Sequence, residues 1–290
     1  MARRRLLSGG ICAVFVGIAA CRSFGSAESP APEPSSDGGG EEGQAPGPSD
    51  PSDASGPDGT IVVPPRVDGG SDMIVVVQGP GGYAIDSHEV TVAQYGVFQA
   101  ASAGFDSGIP RCAWRTTYAP AVNCPLDGRP DVPMTCVDWC SAAAYCAWAG
   151  ARLCGQIGGG TAASDTLTDP ATDEWMRACT GGPDADRWCY GDEANPTACN
   201  TTALDVGALS PAGKLAACVG GVDGLHDMSG NAWEWTDGCN ETQDDPSNDA
   251  CPFRGGGYRG ELDDAKCATA SYVRRGGALQ DIGFRCCKSL

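Results

Sequence analysis

Histidine is nearly absent from this chain of 290 residues: only His88 and His226 occur. Two imidazoles cannot build a tri-histidine metal centre, and neither stands beside a nucleophile pattern; the Ser229-Gly230 turn has no base in sequence reach except His226. Basic residues are also scarce, with 19 lysines and arginines against 37 acids and a net charge of −18. Without a basic stripe, nucleic acid is excluded as a partner, and so is attraction to anionic lipid headgroups. Long apolar runs are missing as well. Ile11 to Ala20 is too short to span a bilayer as a mature helix. No lysine follows the GGPDADRW stretch that begins at Gly181, so it is a turn and not a phosphate loop.

At the front, Arg3, Arg4 and Arg5 precede that apolar run, which ends in Ile18-Ala19-Ala20-Cys21. The pattern resembles a bacterial lipoprotein signal over residues 1–21, with Cys21 the lipidated first residue; the alternative is a secretory signal cleaved elsewhere. Several acyl chains on one cysteine would anchor the chain stably. The expected location is therefore the cell envelope, outside the cytoplasm, with lipid as the membrane contact. Residues 22–71 read as an acidic, disordered linker. Proline, glycine and serine alternate there with acids such as Glu28, Asp37, Glu41 and Asp50, and there is too little apolar surface to offset ordering entropy.

Cysteine is in excess. Setting aside Cys12 and Cys21, the other fifteen of the seventeen fall between Cys112 and Cys287. In an exported chain this density reads as a disulfide framework, and the odd count leaves one thiol over. Paired C-x-x-C knuckles are lacking, which excludes structural zinc. The adjacent Cys286 and Cys287 are expected to bond to different partners.

The folded part is expected over residues 72–290. Met73 onward is a short strand and Tyr83 to Asp86 a second. Thr91 with Gln94 forms a capping box before a helix from Val92 to Ala101 whose buried face is expected to carry Val92, Tyr95 and Phe98. Asp138 caps a second helix that Gly150 stops, and Thr172 is expected to cap a third that ends before Gly181. A surface loop pinned by Cys112 and Cys124 lies between the first two helices. Beyond the third helix the chain is rich in turns, and the fold class is α+β with much irregular structure.

Gly224 to Cys239, GLHDMSGNAWEWTDGC, is the densest stretch. Alternation sends Trp233 and Trp235 to one side and Glu234 to the other. Gly230 and Asn231 suit a turn with positive φ. Asn231 and Glu234, with the Gly230 and Ala232 carbonyls, supply oxygen ligands of the kind calcium takes. The competing reading pairs Glu234 with an arginine.

This stretch, followed by RGGGY (Arg254 to Tyr258) and IGFRCC (Ile282 to Cys287), resembles the formylglycine-generating enzyme, or sulfatase-modifying factor, family. IDSHEVTVAQYGVF from Ile85, VDWCSAAAYCAWAGARL from Val137 and DEWMRACTGG from Asp173 match in the same order. The resemblance implies a C-type-lectin-like core, calcium at the central motif and, at Asn200, a ligand of the family's other calcium site. It also implies a copper ion on two cysteines, two and seven residues beyond the motif's tyrosine. Counted from Tyr258, those positions are Gly260 and Ala265. Neither can replace a soft thiolate, so copper is not expected. The iron-dependent sulfoxide synthases of the superfamily need three histidines and are excluded; the pyoverdine-maturation branch shares the fold. Two functions follow. One is a non-catalytic module that binds a protein or carbohydrate. The other is an oxygen-dependent oxidoreductase with a rearranged site at Cys267 and the leftover thiol.

Overall fold

The computed structural model describes residues 73–185 and 187–290; the expected signal segment, Cys21 and the linker lie outside them. Two four-stranded sheets organise the described residues. Strands β1 (Met73–Val77), β2 (Tyr83–Asp86), β3 (Arg152–Leu153) and β8 (Cys286–Ser289) form the first, in the order β1-β2-β8-β3. The second has the order β6-β5-β4-β7, from β4 (Trp233–Trp235), β5 (Ala250–Arg254), β6 (Ala270–Arg274) and β7 (Ile282–Phe284). All pairings are antiparallel except β4 with β7. Between β7 and β8 stands a single residue, Arg285, so the closing IGFRCC motif ties the two sheets together.

Helix α1 (Val92–Ala101) starts at the Thr91–Gln94 capping box, as its sequence indicates. Asp138 caps α2 (Trp139–Trp148) by accepting from the Ser141 N–H. Helix α3 (Glu174–Thr180) corrects the expectation by one residue: its cap is Asp173, whose carboxylate accepts from the Met176 N–H, and not Thr172. A short carboxylate directly before Glu174 reaches the first-turn donors better than a hydroxyl one residue earlier.

One core joins α1 and α2 to the second sheet. Tyr95 stacks on Tyr145 at 5.7 Å, and Tyr145 meets Phe284 edge-on at 5.3 Å. Another gathers Tyr83, Ile85, Trp175, Met176, Leu225 and Met228 around buried cystines. The framework consists of seven disulfides, and Cys189, buried, is the free thiol among the described residues. Cys286 and Cys287 bond to different partners, Cys146 and Cys154. Neighbouring residues of a strand point to opposite faces, which is why they cannot share one partner. The loop after α1 is pinned at two separate points, Cys112–Cys140 and Cys124–Cys136. No helix among the described residues is long and apolar enough to cross a membrane.

Candidate functional site

Strand β4 places its side chains by alternation. Trp233 and Trp235 lie on one side and both meet Phe253 edge-on, at 5.2 and 5.8 Å. Glu234 points the other way and is fully buried. Its Oε1 accepts from Arg285 Nη2 at 2.7 Å; its Oε2 accepts from Arg285 Nε at 2.8 Å and from the Trp175 indole at 2.7 Å. Arg285 spends its other donor capacity on the Asp86 and His226 carbonyls. Of the two readings of Glu234, its geometry is that of the arginine pair.

The turn before β4 is left-handed at Gly230 (φ 78°) and Asn231 (φ 63°). A Cβ at Gly230 would stand 2.7 Å from the Asn200 carbonyl oxygen, so glycine is required there for packing as well as for φ. Asn231 does not converge with Glu234. Its Oδ1 accepts from Asn200 Nδ2 and the Ser210 N–H, and its Nδ2 donates to Glu89 Oε1 and the Ser210 carbonyl. The expected Asn231–Glu234 pair is not joined by any shared partner: the amide is saturated by other protein groups and the carboxylate by Arg285 and Trp175. Ala232, also buried, packs with Val132 and Leu209.

The structure instead brings Asn200, Asn231 and Glu89 together and sets Asp227 beside them. Asn200 Oδ1 is a buried oxygen without a partner, and Glu89 Oε2 has none but the neighbouring Asp227 carboxyl. Burial, and the Asp227 charge next to it, hold the Glu89 carboxyl well above the usual carboxylate range. Burial likewise pushes Asp227 up to about 6, although its Oδ2 accepts from the Gly213 N–H. Three buried acids, Glu89, Asp227 and Glu234, thus face one guanidinium. Surplus buried negative charge with orphaned oxygens is the chemistry of a hard-cation site. The acids are not a closed ligand cage, however. The group of three potential ligands within 4.8 Å of one another among the described residues is sulfur: Cys189, Cys199 and Cys218. Glu89 and Asp227 were not among the expected site residues. Each lies in a segment the sequence already singled out, Glu89 in IDSHEVTVAQYGVF and Asp227 in GLHDMSGNAWEWTDGC, but only tertiary contact shows that it is buried.

RGGGY is explained by packing. Arg254 is fully buried, donates to Asp173 Oδ1 at 2.7 Å, and lies 4.8 Å from the centre of the Trp175 ring. The glycines bring the loop onto the central turn: Gly255 accepts from the Gly230 N–H, and the Tyr258 N–H donates to the Asn231 carbonyl. At Gly256 a Cβ would stand 2.8 Å from Ala265 Cα.

At the two positions where the resemblance calls for copper-binding thiols, Gly260 lies in a turn, its carbonyl accepting from Thr202, and Ala265 is buried, its carbonyl accepting from Ser229 Oγ. Ser229 is therefore a structural hydroxyl. Cys267 is bonded to Cys179, which corrects its candidacy as a rearranged catalytic thiol. The leftover thiol, Cys189, is 2 % exposed, and burial pushes its pKa up to about 12. A protonated, enclosed thiol is neither nucleophile nor ready ligand.

Known proteins resemble this chain in sequence and in fold. Mus musculus inactive C-alpha-formylglycine-generating enzyme 2 is 27% identical over 197 residues, 62% of this chain and 56% of that protein. The formylglycine-generating enzyme of Thermomonospora curvata is 28% identical over 146 residues, 44% and 39% of the two chains. The chain thus spans little more than half the length of the first of these and less of the second. Among solved structures, PvdO from Pseudomonas aeruginosa superposes with a TM-score of 0.51 at 18% identity, over 78% of this chain and 92% of that one. CarF does so at 0.50 and 21%, over 72% and 87%. These likenesses show the fold. The sulfatase-modifying factor enzyme 1-like domain matches residues 75–290, and the chain belongs to that family.

Proposed function

We propose that this chain is a non-catalytic binding member of the family, carried outside the cytoplasm on a lipid at Cys21. One observation carries the non-catalytic part: glycine and alanine occupy the thiol positions at 260 and 265, and the nearest cysteine, Cys267, is consumed in a disulfide. A cuprous centre needs two soft thiolates, and the remaining thiol is buried and protonated. The similarity to an inactive relative supports the same reading. What the fold retains suits recognition, because irregular loops on a disulfide-pinned scaffold hold their shape without further cost on binding.

The test is turnover. Full-length protein, loaded with copper(I) and given oxygen and a cysteine-containing sulfatase peptide, is expected to yield no formylglycine by mass spectrometry. Conversion above a copper-only control would reinstate the oxidoreductase. For the anchor, Cys21→Ser is expected to abolish acyl labelling and move the protein to the soluble fraction. A wild-type chain that takes no acyl label would remove the lipid from the proposal.

Calcium belongs to the same proposal, with its ligands redistributed. Asn200 Oδ1 and Glu89 Oε2 supply buried oxygens with Asp227 beside them, the Gly230 and Ala232 carbonyls lie on the turn that carries Asn231, and Asn231 orients Glu89 and Asn200 through its amide.

A further inference from the structure

The disulfide framework leaves one sulfur over, and that sulfur stands beside a cystine. Cys189 lies with Cys199 and Cys218 in a group whose sulfurs are all within 4.8 Å of one another. Cys199–Cys218 is bonded and Cys189 is free. Their exposures are 2, 1 and 0%, so external thiols are shut out and the three sulfurs have only each other to react with. Thiol–disulfide exchange proceeds by attack of a thiolate on a bonded sulfur, and here attacker and target share one enclosure.

Ser229 decides which sulfur leaves. Its hydroxyl accepts from the Cys189 N–H at 3.1 Å, which holds Cys189 at the cluster. Its carbonyl oxygen lies 3.2 Å from Cys218 Sγ. A bonded sulfur has no proton to give that oxygen, whereas a freed Cys218 thiol finds an acceptor in place.

The Cys199–Cys218 bond closes a loop with a separation of 19 residues, and that loop walls the Glu89–Asp227 site. From it the Ser210 N–H donates to Asn231 Oδ1 at 2.8 Å and the Gly213 N–H to Asp227 Oδ2 at 2.6 Å. At its two ends the Asn200 carbonyl accepts from the Asn231 N–H, and the Cys218 carbonyl from the Asp227 N–H. Its regular structure is one 3-10 turn, Thr202–Leu204, so the cystine is its covalent closure. Opening such a closure returns conformational freedom to the loop.

We propose that the three sulfurs form a latch on the Glu89–Asp227 site, with two cystine isomers. In the exchange the Cys189 thiolate attacks Cys199 Sγ, the Cys189–Cys199 bond forms and the Cys199–Cys218 bond breaks. Cys218 takes up the proton that Cys189 gave up. One thiol and one cystine stand on each side of the step, so no oxidant or reductant is consumed. The second isomer keeps Asn200 tethered but frees the loop at Cys218, and the Ser210 and Gly213 amides leave Asn231 and Asp227. Burial, with the Asp227 charge set against the Ser229 hydrogen bond and Arg285, pushes the Cys189 thiol up to about 12. The latch therefore moves slowly at neutral pH and faster as pH rises. Its effect on calcium rests on the calcium reading above; the latch itself does not.

Hydrogen exchange read by mass spectrometry on two full-length variants tests it. Cys189→Ser holds the Cys199–Cys218 isomer, and Cys218→Ser leaves Cys189 and Cys199 to bond. Peptides covering residues 209–218 are expected to exchange at least tenfold faster in Cys218→Ser. The two sheets should be equally protected in both variants, which shows that each is folded. Wild type is also held at about pH 9.5 without denaturant or reductant, quenched in acid and mapped with pepsin. Cys189 bonded to Cys199, with Cys218 as the thiol, is the expected product. Protection of 209–218 should fall in proportion to that species, which gives a reading even where Cys218→Ser does not fold. Calcium affinity should drop at least tenfold in Cys218→Ser. Equal loop protection in the two isomers overturns the latch, as does a wild type that keeps Cys199–Cys218 throughout. A Cys189–Cys218 bond overturns the choice of leaving sulfur. A Cys189→Ser protein indifferent to calcium, with the wild-type loop still opening on exchange, overturns the calcium reading and supports the latch.

Discussion

Arg285 grips Glu234 through two nitrogens, Nη2 at 2.7 Å from Oε1 and Nε at 2.8 Å from Oε2, with both side chains fully buried. Removing either partner strands a buried charge, which typically costs about 3–5 kcal/mol. Glu234→Gln and Arg285→Met are each expected to lower the urea unfolding free energy by about that amount. The paired Glu234→Leu/Arg285→Met variant is expected to recover only part of the loss, because Glu89 and Asp227 lose the guanidinium they face and the Trp175 indole loses its acceptor. A Glu234→Gln protein that unfolds like wild type would show that the pair contributes little.

The Glu89–Asp227 site predicts a pH dependence of definite sign. Both carboxyls titrate higher when folded than when unfolded, Asp227 at about 6. Between about pH 4 and 6 Asp227 therefore binds more proton in the folded state than in the unfolded state and makes stability fall as pH rises through that window, and Glu89, also raised, acts in the same sense. In chelator, Asp227→Asn is expected to flatten that slope in a series of melting curves. Equal slopes in the two proteins would remove Asp227 as its source.

Calcium is expected to offset this loss near pH 7, above the Asp227 value of about 6, by taking the place of the protons the acids hold. An ion at a hundredfold excess over its dissociation constant stabilises by about 2.7 kcal/mol. Melting temperature should rise on adding calcium and fall with chelator, and Glu89→Gln should abolish both responses. A wild-type melting curve indifferent to calcium and chelator would exclude the ion from this site.

Cys146–Cys286 and Cys154–Cys287 close loops with separations of 140 and 133 residues. They staple the C-terminal strand to α2 and to the segment after β3. Removing a native disulfide commonly costs about 2–5 kcal/mol. Cys146→Ala/Cys286→Ala should lower the melting temperature by many degrees, and full reduction by more. An unchanged transition after reduction verified by mass would overturn the framework's stabilising role.

Cys189 should be silent to thiol reagents in the folded protein and titrate as one thiol per chain in denaturant. At alkaline pH without denaturant, with the fold kept, it should exchange with Cys199–Cys218, whose sulfurs lie within 4.8 Å of its own. Peptide mapping would then find Cys189 paired with Cys199 or Cys218. Rapid labelling of Cys189 in the native protein would contradict its enclosure.

Local signals carried the elements. The Thr91–Gln94 box, the Asp138 cap, the Trp-Glu-Trp alternation and the Gly230-Asn231 turn were legible because each depends on neighbours within a few residues, whose spacing is written in the chain. The cysteine count determined seven cystines and one thiol, and adjacency alone determined that Cys286 and Cys287 would diverge. The missing thiols at Gly260 and Ala265 were equally plain. Partnership was not legible. That Glu234 meets Arg285, that Asn231 turns to Glu89 and Asn200, that Cys267 bonds to Cys179 and that Cys189 is the thiol left over depend on residues 31 to 142 positions apart in all but the last case. Carboxylates, amides and thiols carry no mark of their partner in sequence; their pairing is decided by which groups the sheets and cystines bury together, and burial then sets which of them are charged.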